Sequence, residues 1–367
     1  MGKTRIGIVT FHRAVNYGAV LQAYALQKSV EKLGINCDII DYRNKKLEES
    51  YHEHSLRKCR TPKDFAKFFL RPKTKQPKYK KFQAFRETHL SLSAPCSTAE
   101  ELSKLADGYD SFIVGSDQVW NYNITGFDSS YFLDFVEDQK KRNAYAASFG
   151  IDTIPLEYQE QYKNYLDGLN YIAVRERQGQ KIIKDLTGRD VEIVLDPVLL
   201  LSEKEWSQIS ANPIEMPNGD YILSHHYSRT PTMNAFLERL SKKTGCKILS
   251  VFRGSRDPMN AITADDPGPL EFIKLYKDAR YVVTNSYHGA IFAIIFQKNF
   301  FLEMLPPPAK VNSRLRMLLD LFDLGSREII DGENFHINEP IKYEKVLEIL
   351  SQERERSINY LKRIVEN

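Results

Sequence analysis

The clearest pattern of apolar and polar positions lies in the first forty residues. Arg5–Phe11 is a short apolar run rich in β-branched residues, which predicts a buried strand. Gly18–Leu33 has apolar residues at helical spacing and is followed by Gly34, a common helix stop. Ile35–Tyr42 repeats the strand pattern. The three segments together predict a βαβ unit, whose two strands are parallel and whose crossover is right-handed.

The alternation of strands and helices resumes after residue 110 and continues in two series. The first series predicts strands at Ser111–Val114, Asn143–Ser148, Tyr171–Arg175 and Val191–Leu195, with helices near 157–169 and 176–186. The second predicts strands at Tyr221–Ser224, Lys247–Phe252 and Tyr281–Thr284, with helices near 231–243, 269–278 and 287–296. The predicted fold class is therefore α/β, with two Rossmann-like domains facing a cleft.

The pattern also predicts the domain boundaries. Residues 1–200 form an N-terminal domain, with an insertion at 43–81, and residues 201–340 form a C-terminal domain. Leu201–Pro217, followed by the turn-forming Asn218-Gly219-Asp220, is the predicted passage between them. Residues 341–367 predict a long charged helix that packs back on one half.

Composition narrows the class of protein. The 367 residues are 42% hydrophobic and 27% charged, which is typical of globular domains. The four cysteines are widely spaced, which indicates reduced thiols and no disulfide framework. The longest apolar run, Ala290–Phe296, is far shorter than the roughly 20 residues that span a bilayer. The apolar run Ile6–Phe11 is short for a secretory leader, so we expect a cytoplasmic protein.

The positive charge is concentrated in the insertion. Residues 43–81 contain fourteen Lys and Arg against four acids, whereas the other 38 basic and 44 acidic residues sum to −6. Three interpretations stay open: a solvated surface helix, contact with an anionic membrane or a pyrophosphate, and contact with nucleic acid. We expect no nucleic acid, and we consider peripheral membrane contact the functional alternative.

Residues after the predicted strand Tyr281–Thr284 give the sharpest chemical signal. Asn285-Ser286-Tyr287-His288-Gly289 joins that strand to an apolar helix, whose first backbone N–H groups can receive an anion. His288 at the positive end of the helix is expected to have a lowered pKa and to serve as a general acid or base. The alternative is a histidine that only caps the turn or packs in the core.

Two further strand ends carry candidate polar groups. Gly115–Asn121 offers Ser116, Asp117, Gln118 and Trp120, of which Asp117 could act as a base and Trp120 could stack on a sugar ring. The alternative is an Asp that caps a turn and a Trp in the core. Asn16-Tyr17-Gly18 begins the first predicted helix, where an ordinary N-cap is equally compatible with the pattern.

Several classes of enzyme are disfavoured because their motifs are missing from the sequence. There is no GxxxxGK[ST], no GxGxxG after the first strand and no GxSxG. The histidines have no carboxylate or cysteine partners at ligand spacing, so we predict no metal site and no resident cofactor.

The chain resembles the polysaccharide pyruvyl transferase family. The resemblance is carried by TFHRAVNYGAVLQAYALQ, DSFIVGSDQVWN, YAASFG, VRER, VLDP and TNSYHGAIFAIIF, in this order, between about residues 5 and 320. It implies two Rossmann-like domains similar to the GT-B glycosyltransferases. It also implies transfer of a pyruvyl group from phosphoenolpyruvate, the co-substrate, to a glycan or a polyprenyl-pyrophosphate-linked sugar, giving a ketal and phosphate.

The resemblance also implies roles for residues. His288 matches the family histidine and is the predicted acid or base, with Asp117 as the second catalytic residue. The expected donor-binding residues are Asn285, Ser286, Gly289, Arg253 and Arg314 of the C-terminal domain, the expected donor side, and Arg175 of the N-terminal domain, with Arg256 as a further cation. The expected acceptor-binding residues, on the N-terminal side, are Asn16, Tyr17, Gly18, Ser116, Gln118 and Trp120. Ser286 departs from family members that have an arginine there, so another cation must bind the donor's anionic groups.

Two other functions stay open. A GT-B glycosyltransferase would share the architecture and use a nucleotide sugar, with Asp265, Asp266 and Glu271 as weak nucleotide-binding candidates. A non-catalytic glycan-binding protein would keep the fold and lose turnover. Stabilisation by phosphoenolpyruvate, compared with stabilisation by UDP or GDP, separates the two enzymes.

Overall fold

A computed structural model describes residues 4–47, 76–211, 218–251, 261–264, 266–305, 312–330, 337 and 339–366. The chain divides into two compact units. The first unit contains the residues up to Pro197 and those from Ser357 onward, and the second unit is Val198–Arg356. The division at Pro197 lies close to the boundary predicted after residue 200.

The first unit is built on a six-stranded sheet in which every described pairing is parallel. The strands are β1 (Arg5–Val9), β2 (Asn36–Ile39), β3 (Ser111–Val114), β4 (Arg142–Ala147), β5 (Ile172–Val174) and β6 (Glu192–Ile193), in the spatial order β2-β1-β3-β4-β5-β6. The inner strands are buried along their length, as expected for a parallel sheet covered on both faces.

Helices connect and cover these strands. They are α1 (Tyr17–Glu31), α2 (Gln76–His89), α3 (Ala99–Ala106), α4 (Tyr122–Thr125), α5 (Leu156–Asp167) and α6 (Arg177–Thr187), with short 3₁₀ turns at Ser129–Phe132 and Gln139–Lys141. Local sequence sets the helix ends. Thr98 and Glu101 form a capping box at the start of α3, and α6 ends at Gly188, whose φ of 74° favours glycine.

The second unit has a five-stranded parallel sheet. Its strands are β7 (Tyr221–His225), β8 (Lys247–Ser250), β9 (Ala261–Thr263), β10 (Tyr281–Thr284) and β11 (Asn299–Leu302), in the order β11-β10-β7-β8-β9. Its helices are α7 (Glu203–Ile209), α8 (Pro231–Thr244), α9 (Pro269–Asp278), α10 (Tyr287–Ile295) and α11 (Asn312–Leu321), with 3₁₀ turns at Pro197–Leu200 and Gly325–Arg327.

The last helix, α12 (Tyr343–Val365), belongs to both units. In the second unit, Arg354 Nη2 donates to the carbonyl of Leu201 at 2.8 Å. In the first unit, Ser357 Oγ accepts from the backbone N–H of Leu195 at 3.0 Å, and Leu361 is fully buried. The predicted C-terminal helix is therefore present, and its final turns form part of the first unit.

The predicted parallel βαβ unit is confirmed, and each predicted strand and helix has a counterpart in the structure. The pattern missed β9, β11, α2, α3, α4, α7 and α11. Across the described residues, none of the helices combines the length and the apolar character needed to cross a membrane. Most of the insertion, residues 48–75, lies outside the described residues, and so does the end of the predicted passage, at 212–217.

Candidate functional site

The junction between β10 and α10 is built by local packing. Ser286 is the N-cap of α10, and its Oγ accepts a hydrogen bond from the N–H of Gly289 at 3.3 Å. A Cβ atom at Gly289 would lie 2.5 Å from Thr284 Oγ1 and 2.7 Å from Tyr276 Oη, so only glycine fits there. The junction residues predicted from the motif therefore serve the turn itself.

Asn285 connects this junction to the loop after β7. Its Oδ1 accepts from the N–H of Tyr227 at 2.8 Å, and its Nδ2 donates to the carbonyl of Ser228 at 2.7 Å. Asn285 is fully buried, and Gly289 is buried as well. Both residues shape the edge of the sheet in this structure, and their direct contact with a donor stays a prediction.

His288 and Arg314 both lie beside the ring of Tyr287. The rings of His288 and Tyr287 lie 5.3 Å apart, and the guanidinium carbon of Arg314 lies 5.7 Å from the centre of the Tyr287 ring. Arg314 is 7% exposed and forms neither a hydrogen bond nor an ion pair with any described residue. A buried guanidinium is costly unless an anion compensates it, so this position is suited to an anionic ligand.

His288 is more enclosed than its predicted place at the helix entrance implies. The residue is 5% exposed, and Nε2 is covered. The reason is that all nine residues of α10 are buried in the second unit.

Arg229, which the sequence analysis did not single out, stands at the same edge of the second sheet. It donates to His226 Nε2 at 2.9 Å and to Ser250 Oγ at 2.9 Å, at the ends of β7 and β8. Burial, with the charge of Arg229, lowers the pKa of His226 to about 4. The neutral imidazole of His226 therefore acts as an acceptor that holds the arginine in place.

Glu303 is a second residue that the sequence analysis missed. It follows β11, and its N–H donates to the carbonyl of Thr284, the last residue of β10, at 3.0 Å. The residue is 5% exposed, and burial raises the pKa of its carboxyl group. An acid in a strand-to-loop position carries no sequence signal, since its burial depends on distant segments.

In the first unit, a buried cluster surrounds Arg175. This arginine, of the VRER motif, is 1% exposed and pairs with Asp196, of the VLDP motif, at 2.7 Å. Its Nη2 also lies 3.6 Å from Asp117 Oδ1. The guanidinium is enclosed and held by Asp196 beside Asp117, and the role of Arg175 in binding the donor stays a prediction.

Asp117 and Gln118 are partly exposed beside this cluster. The carboxylate of Asp117 accepts from the N–H of Gln118 at 2.9 Å. Gln118 covers Gly150, where an added Cβ would lie 1.8 Å from Gln118 Oε1. Both side chains keep the partial access that a substrate contact needs.

The structure places Ser116 and Trp120 in the core, away from the acceptor-binding role that the sequence predicted. Ser116 is fully buried, and its hydroxyl donates to the carbonyl of Ala146 at 2.8 Å. Trp120 is fully buried too, stacked on Phe132 and donating through Nε1 to the carbonyl of Tyr131 at 3.0 Å. Its ring therefore has no face for a sugar, and the core alternative holds.

Asn16, Tyr17 and Gly18 form an ordinary helix start, the alternative that the sequence analysis left open. Asn16 is the N-cap of α1 and accepts from the N–H of Ala19 at 3.3 Å. Tyr17 is buried against Phe82 of α2, and Gly18 is buried in the helix. Only Asn16 of the three keeps partial exposure.

A pocket opens at the carboxyl ends of β1 and β2 in the first unit. It measures about 410 Å³ with its open mouth included, and its lining includes Phe11, Tyr42, Tyr79, Tyr131 and Arg13. Aromatic rings with a cation and polar groups suit an anionic or polar sugar ligand.

An ion cluster borders this pocket. His12 is 1% exposed, and its two ring nitrogens lie 3.2 Å from the carbonyl of Thr10 and 3.1 Å from Asp41 Oδ1. Burial by itself would raise the pKa of Asp41, but His12, Arg13 and Arg43 outweigh it and hold that pKa well below its usual range.

Three predicted residues lie outside the described part of the chain: Arg253, Arg256 and Asp265. The described residues contain no group of three His, Cys, Asp or Glu side chains arranged to hold a metal ion.

The two parallel sheets with their helices define the class of protein, an α/β protein of the GT-B type. A glycosyltransferase from Rickettsia africae matches with a TM-score of 0.53 and 12% identity over 100% of both chains. UDP-GlcNAc 2-epimerase from Methanocaldococcus jannaschii matches with a TM-score of 0.51 and 12% identity, over 99% of this chain and 100% of that chain. At this identity the likeness shows the fold, and the predicted GT-B-like class is confirmed.

The family follows from the sequence. The sequence profile named polysaccharide pyruvyl transferase matches residues 16–302, more than half of the chain. The chain belongs to the polysaccharide pyruvyl transferase family, which confirms the predicted resemblance and indicates a transferase that acts on polysaccharide. No curated protein matches it significantly.

Proposed function

We propose that this protein transfers the pyruvyl group of phosphoenolpyruvate to a sugar of a polysaccharide precursor, forming a pyruvate ketal and releasing phosphate. Family membership supports pyruvyl transfer to polysaccharide. The observation that carries the choice of donor is Arg314, a buried cation without an anionic partner among the described residues, which lies over the ring of Tyr287, the residue before His288.

The donor binds in the second unit. Phosphoenolpyruvate carries a carboxylate and a phosphate, and such groups are bound by guanidinium groups and helix N-termini. Arg314 and the first turn of α10 supply both, and Arg229 stands at the same sheet edge in place of the family arginine missing at Ser286. His288 serves as acid or base. The proposed reaction moves only protons and a pyruvyl group, so it needs no resident cofactor or metal.

The acceptor sugar binds in the first unit. Asp117, beside Arg175, orients a sugar hydroxyl. Gln118 and Asn16 are partly exposed and offer amide groups to further hydroxyls. The pocket beside Arg13 gives the remainder of the glycan a place with aromatic walls.

The enclosure of His288 has a consequence for this proposal. Because the imidazole is 5% exposed, the side chains around it must shift when the donor binds. We therefore expect donor binding to raise the thermal stability of the protein and to protect the start of α10 from hydrogen exchange.

The test follows phosphate release from phosphoenolpyruvate with candidate glycan acceptors. We expect His288→Asn to lower the rate by about 100-fold, the scale of a lost general acid or base. His89→Asn, a matched change in α2 of the first unit, should keep the wild-type rate. Equal rates for wild type and His288→Asn would remove this histidine from the mechanism. No release with any acceptor, together with stabilisation by UDP or GDP, would favour the nucleotide-sugar enzyme.

We propose further that the acceptor is carried on a polyprenyl pyrophosphate, and that the basic segment 43–81 holds the protein at the inner membrane face. Its excess of ten positive charges is suited to anionic headgroups and to a pyrophosphate. This cytoplasmic, peripheral location is a proposal from charge and family alone.

Sedimentation with anionic liposomes tests the membrane proposal. We expect weaker sedimentation when five lysines of the segment become glutamine: Lys73, Lys75, Lys78, Lys80 and Lys81. The control replaces five lysines of the second unit: Lys204, Lys242, Lys243, Lys247 and Lys277. Equal losses in both variants would show that net charge, not this segment, decides binding.

A further inference from the structure

Glu303 lies where the donor site of the second unit is formed. Its backbone N–H donates to Thr284 at the end of β10, and the chain continues from Thr284 through Asn285 to the His288 turn. The carboxyl ends of β10 and β11 are adjacent because these strands pair in parallel register, Thr284 opposite Leu302. In open parallel sheets this edge is where ligands bind.

The two carboxyl oxygens of Glu303 differ in their hydrogen bonding. Oε1 accepts a hydrogen bond from the hydroxyl of Thr230, and the amide of Asn285 lies beside the group. Oε2 is buried and makes no hydrogen bond of normal geometry with any described residue. A buried polar atom without a partner is rare in folded proteins and is a recognised mark of a functional group.

The surroundings favour the neutral acid. Burial raises the pKa of Glu303, and the groups that act against this are the hydroxyl of Thr230, the amide of Asn285 and the N–H of Met233. All three are uncharged. The carboxyl group therefore keeps its proton to a higher pH than an ordinary glutamate does.

We propose that Glu303 is the general acid that protonates the methylene carbon of the enol phosphate donor. This inference rests on the proposed function and names a catalytic residue for it. The reason is placement: Oε2 is the available oxygen of a buried acid at the edge of β10 and β11, next to the junction that holds His288.

Two protein groups, Glu303 and His288, account for every proton that moves in the reaction. The proton on Oε2 passes to the methylene carbon as the C=C electron pair forms the new C–H bond. A sugar hydroxyl oxygen then bonds to the neighbouring carbon and gives its proton to His288. The C–O bond to phosphate breaks, and phosphate leaves with the proton from His288. The second hydroxyl closes the ketal and returns its proton to Glu303, which restores both groups.

The assignment divides the acid and base roles between two residues. Glu303, whose pKa burial raises, supplies the proton for carbon, and His288 accepts and returns the hydroxyl proton. Pairs of titratable groups in contrasting environments divide acid and base work in this way.

The test compares Glu303→Gln with Glu328→Gln. Glu328 is a matched control because it forms a bridge with Leu302 of β11 and pairs with Arg316 at the surface. We expect Glu303→Gln to lower phosphate release by about 100-fold while keeping wild-type thermal stabilisation by phosphoenolpyruvate. In wild type, kcat/KM should fall at high pH as the acid ionises, and Glu303→Gln should lack that fall. Glu328→Gln should behave as wild type.

A rate within threefold of wild type for Glu303→Gln would overturn the proposal. If this variant fails to fold, Glu303→Asp replaces it, with the shortened acid expected to slow turnover and to keep the high-pH fall. A separate measurement distinguishes this inference from the donor assignment. The ¹³Cδ resonance of Glu303 should titrate above the pKa of an ordinary glutamate in the free protein, whatever the donor is. A pKa of Glu303 in the ordinary glutamate range would contradict the acid role. A raised pKa without turnover of phosphoenolpyruvate would contradict only the choice of donor.

Discussion

Two buried arginines differ in what neutralises them. Arg175 and Arg314 are 1% and 7% exposed, so both carry the cost of a charge removed from water. Asp196 lies 2.7 Å from Arg175 and neutralises it within the first unit. Arg314 faces the Tyr287 ring and has no carboxylate among the described residues. The same residue type is thus structural in one unit and available for a ligand in the other.

We expect Arg314→Gln to weaken phosphoenolpyruvate binding at least tenfold, because a charge-assisted contact is lost. The free protein should keep its thermal stability or gain some, since a buried charge without a described partner is removed. Arg316→Gln, two residues along α11 and paired with Glu328, is the control and should leave binding unchanged. Thermal shift and the KM for the donor measure both effects. An equal loss of binding in the two variants would contradict a specific role for Arg314.

The sequence identified the junction at His288 because a motif between a strand and an apolar helix is a local feature. It could not tell that Trp120 and Ser116 face the core, since their burial depends on Phe132 and Ala146, which are distant along the chain. Glu303 was missed for the same reason. Residue type and spacing predicted where the strand-to-helix junctions lie, and tertiary packing decided which side chains of the motifs are accessible.

At the scale of elements, the start of α10 explains why serine occupies position 286. Its Oγ accepts from the N–H of Gly289, which an arginine side chain cannot do. In the proposed function, the cation that family members have there comes from the loop after β7, where Arg229 donates to Ser250.

Substitutions at Ser286 test whether this residue caps α10 while another residue supplies the cation. Ser286→Ala should lower the stability of the second unit by about 1 kcal/mol, seen as a fall of a few degrees in Tm. Ser286→Asp should keep the cap and the Tm, because aspartate is a good N-cap. Its negative charge should weaken binding of an anionic donor. An unchanged Tm in Ser286→Ala would contradict the capping role, and unchanged donor affinity in Ser286→Asp would place the anion elsewhere.

The elements that the sequence missed share a physical cause. β9 has three partly exposed residues with little apolar pattern, and β11 follows α10 after only three residues, so its apolar residues continue the run of the helix. α2 begins at the end of the basic segment, where Lys78, Lys80 and Lys81 precede the apolar Phe82 and Phe85 that the helix buries. Short or polar elements are fixed by their neighbours more than by their own pattern.

At the scale of the whole molecule, α12 contributes to both units. Its last turns place Ser357, Tyr360, Leu361 and Ile364 in the interior of the first unit. Ser357 satisfies the backbone N–H of Leu195, directly before Asp196, which holds Arg175. The end of the helix thus stabilises the segment on which the Arg175 and Asp117 cluster depends.

We expect Leu361→Ala to destabilise the first unit by about 2–5 kcal/mol, the cost of a large-to-small change in a core. Leu347→Ala, at a position of the same helix that is 38% exposed, should cost little. Unfolding of the first unit can be followed by the fluorescence of Trp120 in a Trp206→Phe background, because the chain has two tryptophans, one in each unit. Equal stabilities would show that the last turns of α12 add nothing to the first unit.

The division of α12 also determines when the first unit can be completed during synthesis. A ribosome that has translated Pro197 has produced all six strands of the first sheet, yet the residues that fill its interior beside Leu195 are still 160 codons away. The nascent first unit must therefore wait, with an apolar surface uncovered, while the whole second unit is made.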